Sequence, residues 1–218
     1  MVHLEEIKST LLPGVELVAV SKFHPAALVA EAYALGQRVF GESRVQELRE
    51  KRESLPADIE WHFIGHLQPN KVKYIAPYIS LIHAVDSAKL LREIDRQGRK
   101  CGRAIPCLLE LRVAREETKY GLTPDECRAL LEEGEWRGME GTRIDGVMCM
   151  ASNTDDMEAV RGEFATARRF FDECKERFFA GEPHFRHRSW GMSHDYPVAM
   201  EEGATLVRVG TAIFGERQ

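Results

Sequence analysis

The feature that most constrains this chain is an alternation of short apolar runs with segments of helical period. The runs consist largely of apolar and β-branched residues, which is typical of buried strands. Eight such runs occur, at 16–22, 38–43, 60–66, 81–87, 105–113, 143–150, 184–192 and 205–214. Because strands that alternate with helices pair in parallel, the pattern predicts an α/β fold with a parallel sheet.

The segments that precede and separate these runs carry helix start signals. Pro25 opens one segment, Asp86 and Ser87 cap another, and Thr123 stands before a proline and two acids at the start of a third. The longest block, 155–178, repeats an apolar residue every three or four positions, which predicts one buried face. The predicted helices cover 2–12, 25–36, 44–54, 70–76, 87–99, 123–133, 155–178 and 195–202.

Two architectures connect parallel strands through helices, a doubly wound open sheet and a closed (β/α)8 TIM barrel. The strand count reaches eight with no leftover segment, and no GxGxxG turn follows the first strand. Both observations favour the barrel, which must have short loops in a chain of 218 residues. No linker or low-complexity segment marks a boundary, so we predict a single barrel domain over 1–218.

Charge and cysteine content exclude several classes of protein. A formal net charge of −5 gives no general attraction to nucleic acid or to anionic lipid. No apolar run approaches the length of a membrane span, and the N-terminus lacks the pattern of a signal peptide. The five cysteines form no CxxC pair, which indicates reduced thiols and a cytoplasmic protein.

The first predicted strand ends in a lysine, Lys22. Alternate residues of a strand share a face, so Val18, Val20 and Lys22 point the same way. If that face is the barrel interior, Lys22 lies at the barrel mouth, where ligand groups of such folds collect. A partly desolvated lysine has a lowered pKa and is a usable nucleophile toward aldehydes. Taken alone, this strand fits better with a lysine whose apolar stem is buried and whose ammonium group extends to water.

The last two strands add a cation and two turns of small residues. Arg208 stands in the middle of an apolar strand and needs an acceptor, although no acid lies nearby in sequence. Gly210 and Thr211 follow it, and the preceding strand ends in the turn 191–193, Gly-Met-Ser. Barrels often bind phosphate with the loops after strands seven and eight. A phosphate site that faces a lysine, with an arginine between them, suggests pyridoxal phosphate.

Motifs along nearly the whole chain resemble those of the pyridoxal phosphate homeostasis proteins, which are related to the barrel domain of alanine racemase. The matching segments are AVSK (19–22), GQRVFGESRVQE (36–47), WHFIGHLQPNK (61–71), ETKYG (117–121), IDGVM (144–148), WGMSHD (190–195) and VRVGTAIFG (207–215). As a set, these motifs are highly specific for the family.

The resemblance assigns roles to several positions. Lys22 would form the internal aldimine with the cofactor, and Arg208 would face the pyridine nitrogen. The phosphate would be held by the two turns of small residues, with Met192, Ser193, Gly210 and Thr211 as cofactor-binding residues. A cation beside the pyridine nitrogen disfavours its protonation, so the ring would be a weaker electron sink than one paired with a carboxylate.

Three further positions depend on the resemblance. Ser43 stands where the family motif FGEN has its asparagine, and the shorter side chain weakens the case for a direct contact with the cofactor. His62 matches a motif position near the expected pocket and is a candidate lining residue. Lys119 is either a solvated loop lysine or a second amine that receives the aldehyde. No histidine pair has an obvious third ligand, so we predict no metal site.

Two functions remain open. The first is a carrier that holds pyridoxal phosphate reversibly and releases it to apoenzymes as transient partners. The alternative is an amino-acid racemase or a related carbon-acid enzyme, which needs an acid or base on each face of the substrate. The sequence ends four residues after Phe214, and no tyrosine is a clear second base, although Tyr120 and Tyr196 fall in predicted upper loops. We favour a cytoplasmic, monomeric carrier without a catalytic reaction of its own.

Overall fold

The structure is a computed structural model that describes residues 2–114 and 120–216. Eight parallel strands form a closed barrel in the order of the sequence, with the first strand paired to the last. The strands are β1 (Glu16–Val20), β2 (Val39–Glu42), β3 (Glu60–Phe63), β4 (Leu81–Val85), β5 (Ile105–Arg112), β6 (Thr142–Met150), β7 (His187–Ser189) and β8 (Leu206–Val209). The predicted barrel is therefore confirmed, and the open sheet is excluded.

Helices surround the barrel and connect its strands. The α-helices are α1 (Leu4–Ser9), α2 (Ala26–Ala34), α3 (Val45–Ser54), α4 (Ala88–Lys100), α5 (Pro124–Glu133), α6 (Met157–Arg177), α7 (Tyr196–Glu201) and α8 (Thr211–Phe214), and 3-10 helices cover Pro69–Tyr74 and Glu135–Gly138. Two predicted caps are present: Ser87 accepts from the Leu90 N–H, and Thr123 forms a capping box with Glu126. None of the helices in the described ranges is long and apolar enough to cross a membrane.

Three predicted elements differ from the structure. The last predicted strand, 205–214, divides into β8 and α8, because the N–H groups of Ile213 and Phe214 bond back to the Gly210 carbonyl and turn the chain into a helix. The seventh strand is only three residues long rather than 184–192. The segment predicted as an α-helix over 70–76 is a 3-10 helix whose first residue is Pro69.

Apolar side chains fill the lower part of the barrel interior. This inner cluster comprises Val18, Val39, Leu81, Ala84, Leu108, Met148 and Leu206. Val18 belongs to this inner cluster, which confirms that its face of β1 points into the barrel. A larger cluster lies between the strands and the helices, where α6 contributes the apolar face predicted for 155–178. All five cysteines are free. The polar side chains of the candidate site therefore lie at the upper end of the barrel, beyond this apolar cluster.

Candidate functional site

A cavity of about 240 Å³ opens at the carboxyl ends of the strands. Its walls come from both halves of the sequence, and they include the lysine, the arginine and the two turns of small residues that the sequence singled out. The lining residues are Val20, Lys22, His24, Ile64, Met150, Asn153, Met192, Ser193, His194, Arg208, Gly210 and Thr211. In (β/α)8 barrels this end carries the ligand-binding and catalytic groups.

Lys22 lies in a turn just beyond β1 and is half-buried. The next residue, Phe23, has a φ of +66°, which is the left-handed region that a bulky side chain seldom adopts. Its N–H donates to Glu47 Oε1 at 2.6 Å. A strained turn held by a neighbouring helix fixes where the Lys22 backbone leaves the barrel wall.

Three buried polar side chains and the partly exposed Glu47 form a cluster beside this turn, which we call the carboxylate network: Ser21, Glu42, Glu47 and Lys51. Lys51 Nζ donates to Glu42 Oε1 at 2.6 Å and to Glu47 Oε1 at 2.7 Å. It also donates to the Ser21 carbonyl at 2.7 Å. The Ser21 hydroxyl in turn donates to Glu42 Oε1 at 2.6 Å. Through Ser21 and Phe23, the network holds the residue on each side of Lys22.

Burial governs the ionisation of this network. It raises the pKa of Glu42 to about 7, although the Lys51 ammonium and the Ser21 hydroxyl both act to lower it. Two carboxylates around one lysine also repel each other, and Glu47 contributes to the raised value. Glu42 therefore loses its proton, and becomes negatively charged, as the pH rises through neutrality.

Arg208 reaches the cavity from the buried interior of the barrel, where it is 4% exposed. Its Nη1 donates to the Ser189 carbonyl at 2.7 Å and to the Ser189 hydroxyl at 2.5 Å, and its Nη2 donates to the Cys149 carbonyl at 2.9 Å. The acceptors that its burial required are thus uncharged groups on β6 and β7. Burial also lowers the pKa of Arg208 from its usual value.

A line of hydrogen bonds continues from Arg208 across the barrel, and we call it the histidine chain: Arg208, Ser189, His83 and His62. Ser189 Oγ lies 2.9 Å from His83 Nδ1, and His83 Nε2 lies 3.0 Å from His62 Nδ1. Burial lowers the pKa of His62 to about 3 and that of His83 well below its usual value. Both rings are therefore neutral at physiological pH, and the chain carries its only full charge at Arg208.

The turn after β7 depends on one glycine and one carboxylate. Gly191 has a φ of +93°, and a Cβ there would lie 2.6 Å from the Ala199 Cβ. Glycine is therefore required at the point where the turn meets α7. The buried Asp195 carboxylate accepts a hydrogen bond from the Met192 N–H at 2.5 Å and so stabilises the turn.

The turn after β8 is joined to the first turn. The Gly210 N–H donates to Ser193 Oγ at 3.2 Å, and the Arg208 N–H donates to the Gly191 carbonyl at 3.0 Å. A Cβ at Gly210 would lie 3.0 Å from the Val20 carbonyl oxygen. The two turns and the end of β1 thus come together with backbone and hydroxyl groups at the cavity wall, an arrangement suited to a phosphate.

The structure separates the candidate residues into two sets. Those that line the cavity are Lys22, Met192, Ser193, Arg208, Gly210 and Thr211. Ser43 instead lines a neighbouring groove, and His62 is buried within the histidine chain. Lys119 lies outside the described residues.

Sequence reasoning did not single out several residues that the structure places at the site. His24 and Asn153 line the cavity, and Asp195 supports the turn after β7. Asp195 belongs to the motif WGMSHD, which was a usable signal. Ser189 and His83 lie on strands that are far apart in sequence, and no local pattern relates them.

A further buried carboxyl group, Glu110, lies on β5. Burial and the nearby Asp86 raise its pKa to about 7, while Arg208 acts to lower it. Within the described part of the chain, its Oε2 has no hydrogen-bond partner. Glu110 thus lies close enough to Arg208 to interact with it through charge.

Comparison with known sequences relates the chain to one family. The family described as "Alanine racemase, N-terminal domain" matches residues 3–218. The pyridoxal phosphate homeostasis protein of Aquifex aeolicus is 40% identical over 204 residues, which cover 93% of this chain and 87% of the relative. The human protein of the same name is 36% identical over 219 residues, which cover 94% and 78% of the two chains.

Solved structures agree with the sequence comparison. PipY of Synechococcus elongatus without PLP has a TM-score of 0.90 and 38% identity, covering 97% of this chain and 98% of PipY. The same protein with PLP bound has a TM-score of 0.87 over the same shares of the two chains. An alanine racemase of Clostridium difficile has a TM-score of 0.76 at 17% identity, covering 96% of this chain and 54% of the racemase, which shows the shared fold alone.

Proposed function

Because this chain belongs to the family of pyridoxal phosphate homeostasis proteins, we propose that it binds pyridoxal 5′-phosphate covalently and reversibly on Lys22 and takes part in the homeostasis of that cofactor. One observation carries the proposal. Lys22, Arg208 and the two turns of small residues line a single cavity at the barrel mouth. The structure of PipY with PLP bound supports it further.

The residues present fit the cofactor. When bound, the cofactor supplies an aldehyde that forms a reversible C=N bond with an amine, with loss of one water. In the proposal, Lys22 supplies that amine, and the hydroxyl groups of Ser193 and Thr211 with the Gly210 backbone hold the phosphate. Arg208 orients the ring through its nitrogen, because its guanidinium lines the same cavity and is held by neutral acceptors. Met192 contributes to the wall beside Ser193.

We propose a carrier rather than an enzyme. The relatives described above carry the name of homeostasis proteins, not of enzymes. The phenol of Tyr196 lies 2.9 Å from Thr10 Oγ1, and the ring of Tyr120 stacks on His66 at 4.2 Å. Neither tyrosine lines the cavity, so neither is in place to act as the second base that a two-base racemase needs. In this proposal the protein is a cytoplasmic monomer formed by one domain, and apoenzymes receive the cofactor from it.

The first test is an absorption spectrum of the purified protein with pyridoxal phosphate, before and after borohydride, followed by peptide mapping. We expect a visible band that borohydride bleaches and a reduced adduct on Lys22. Lys22→Ala abolishes that adduct, whereas the exposed Lys89→Ala retains it. An adduct of wild-type amount in Lys22→Ala would overturn the assignment, and mapping it to Lys119 would identify the second amine.

The distinction between carrier and enzyme needs a separate measurement. Exchange of the α-hydrogen of amino acids into deuterated water reports carbanion formation whatever the final product. For a carrier, we expect the loaded protein to exchange no faster than free pyridoxal phosphate under the same conditions. Faster exchange that Lys22→Ala removes would favour the racemase-like alternative.

A further inference from the structure

A second concave site lies beside the cofactor cavity, between α3 and the 3-10 helix Pro69–Tyr74. Its volume is about 510 Å³, which falls in the range of small-molecule sites. We call it the basic groove. Its lining residues are Ser43, Arg44, Val45, Gln46, Arg49, Phe63, His66, Leu67, Gln68, Lys71 and Tyr74.

The charge of the basic groove is opposite to that of the whole chain. Arg44, Arg49 and Lys71 line it, and no carboxylate is among its lining residues. None of these three cations forms an ion pair with another described residue. On a chain with a formal net charge of −5, three cations around one concavity form a local site of positive potential.

Three acids that lie close to the groove residues, in sequence or in contact, have partners of their own. Glu47 on α3 accepts from Lys51 at 2.7 Å, and Glu50 accepts from the Gln46 amide at 2.6 Å. At the other end, His66 Nδ1 lies 2.9 Å from Asp86 Oδ2. The three lining cations therefore remain available to an added anion.

The groove also has an apolar and aromatic component. Phe63 and Leu67 are buried beneath it, and Tyr74 at its edge is 39% exposed. Arg49 Cζ lies 5.1 Å and Lys71 Nζ 5.8 Å from the centre of the Tyr74 ring. Cations around an aromatic ring and a buried apolar floor suit a ligand that has both an anionic group and an organic body.

We propose that the basic groove is a second ligand site that takes a small organic phosphate monoester. Arginine and lysine are the side chains that bind phosphate oxygens most effectively, and the apolar floor accommodates the group that the phosphate esterifies. The groove lies next to the cofactor site, since Arg44 Cζ is 4.6 Å from the ring of Phe23, the residue after Lys22. The inference goes beyond the proposed function and does not require pyridoxal phosphate to bind Lys22.

The test is calorimetric titration with phenyl phosphate at low ionic strength, and with inorganic phosphate as a second probe. Phenyl phosphate has no aldehyde and cannot attach to a lysine. The protein is used with its cofactor reduced onto Lys22, so that the cofactor cavity is filled, and also untreated. We expect one site on the reduced protein that binds phenyl phosphate about 10-fold more tightly than inorganic phosphate, because only the ester contacts the apolar floor.

Two double variants with equal loss of charge form the matched pair. Arg49→Ala/Lys71→Ala removes two lining cations, and we expect it to weaken phenyl phosphate binding about 10-fold or more. Arg52→Ala/Lys89→Ala removes two exposed cations that do not line the groove, and we expect a change of less than about 2-fold. Arg49→Lys/Lys71→Arg retains binding. Thermal unfolding of each variant checks that it is folded.

Several outcomes would overturn the proposal. Equal weakening in both double variants would mean general surface electrostatics. Equal affinity for the two probes would assign the groove to free phosphate, and binding of an acidic peptide without binding of phenyl phosphate would assign it to a protein segment. Failure of pyridoxal phosphate to load would contradict the proposed function alone, because the untreated protein still tests the groove through the variant pair.

Discussion

Two polar clusters beside the candidate site each hold one buried cation, Lys51 in one and Arg208 in the other, and the clusters differ in charge. The carboxylate network surrounds Lys51 with two carboxylates and fixes the residues on each side of Lys22. The histidine chain holds Arg208 through carbonyl groups, a hydroxyl and two neutral rings. Lys51 is thus neutralised by its partners, whereas Arg208 has no hydrogen-bonded carboxylate among the described residues.

This difference indicates how each cluster responds to change. In the carboxylate network, loss of one charge leaves another buried charge without a counterion, and the cost depends on pH. In the histidine chain, loss of one member leaves an unpaired polar atom whose cost changes little near neutral pH. A cation that must remain available to a ligand is therefore oriented by neutral groups, while a cation that only supports the fold is paired.

The largest effect is expected from Lys51→Met, which leaves Glu42 buried without its counterion. We expect a loss of about 3 kcal/mol or more in the free energy of unfolding at about pH 8. Because the Glu42 pKa is already raised, protonation relieves the cost, and the loss becomes smaller at about pH 5.5. Urea unfolding at both pH values measures it. The exposed Lys89→Met is the control, and a loss of the same size at both pH values would contradict the account.

Ser189→Ala should have an intermediate effect through the histidine chain. It removes one acceptor of Arg208 and leaves His83 Nδ1 without a partner, at a cost of about 2 kcal/mol. Near neutral pH this cost is nearly constant, because both rings stay neutral. The absorption band of the bound cofactor should also shift, since Arg208 loses part of its support. The control is Ser54→Ala, at an exposed serine on α3, measured by the same unfolding and absorption experiments. If Ser189→Ala left the cofactor band unshifted, Ser189 would have a structural role only.

The smallest effect concerns Glu110, which belongs to neither cluster. Its folded pKa is raised above 4.5 to about 7, so the folded protein binds more protons than the unfolded chain between these values. Stability therefore falls as pH rises through this window and stays low above it. Glu110→Gln removes that cost, and we expect a gain of about 1 kcal/mol at about pH 8, reduced because the amide nitrogen must find an acceptor. At about pH 5 we expect Glu110→Gln to leave the free energy of unfolding unchanged. Destabilisation at both pH values would instead show that Glu110 is bound to a partner as a carboxylate.

The fold and the cavity-lining cations could be predicted because their signals are local. Strand alternation predicted the inward face of β1, and an arginine within an apolar strand identified Arg208. The same signals do not report how deeply a side chain is buried: His62, a candidate lining residue, lies within the histidine chain, and its contact with the cofactor stays a prediction. Ser43 shows a similar limit, because a motif match does not reveal that its side chain lines the basic groove.

The two buried clusters could not be predicted from local patterns. Lys51 bonds with Ser21 thirty positions away, and His83 bonds with Ser189 across 106 positions. Only closure of the barrel brings such residues together. The short helix α8 was mistaken for strand because its four residues continue the apolar run of β8. The turn back to the Gly210 carbonyl depends on backbone hydrogen bonds that apolar periodicity does not report.

The pairing of β1 with β8 has a consequence for how the protein is made. β1 cannot complete its pairing until β8 has been made, and contacts of such long sequence separation form slowly during folding. Arg208, Gly210 and Thr211 leave the ribosome about 190 residues after Lys22, so a nascent chain exposes the lysine well before the opposite wall exists. Capture of the aldehyde in the proposed manner therefore requires that β8 has been made and has paired with β1.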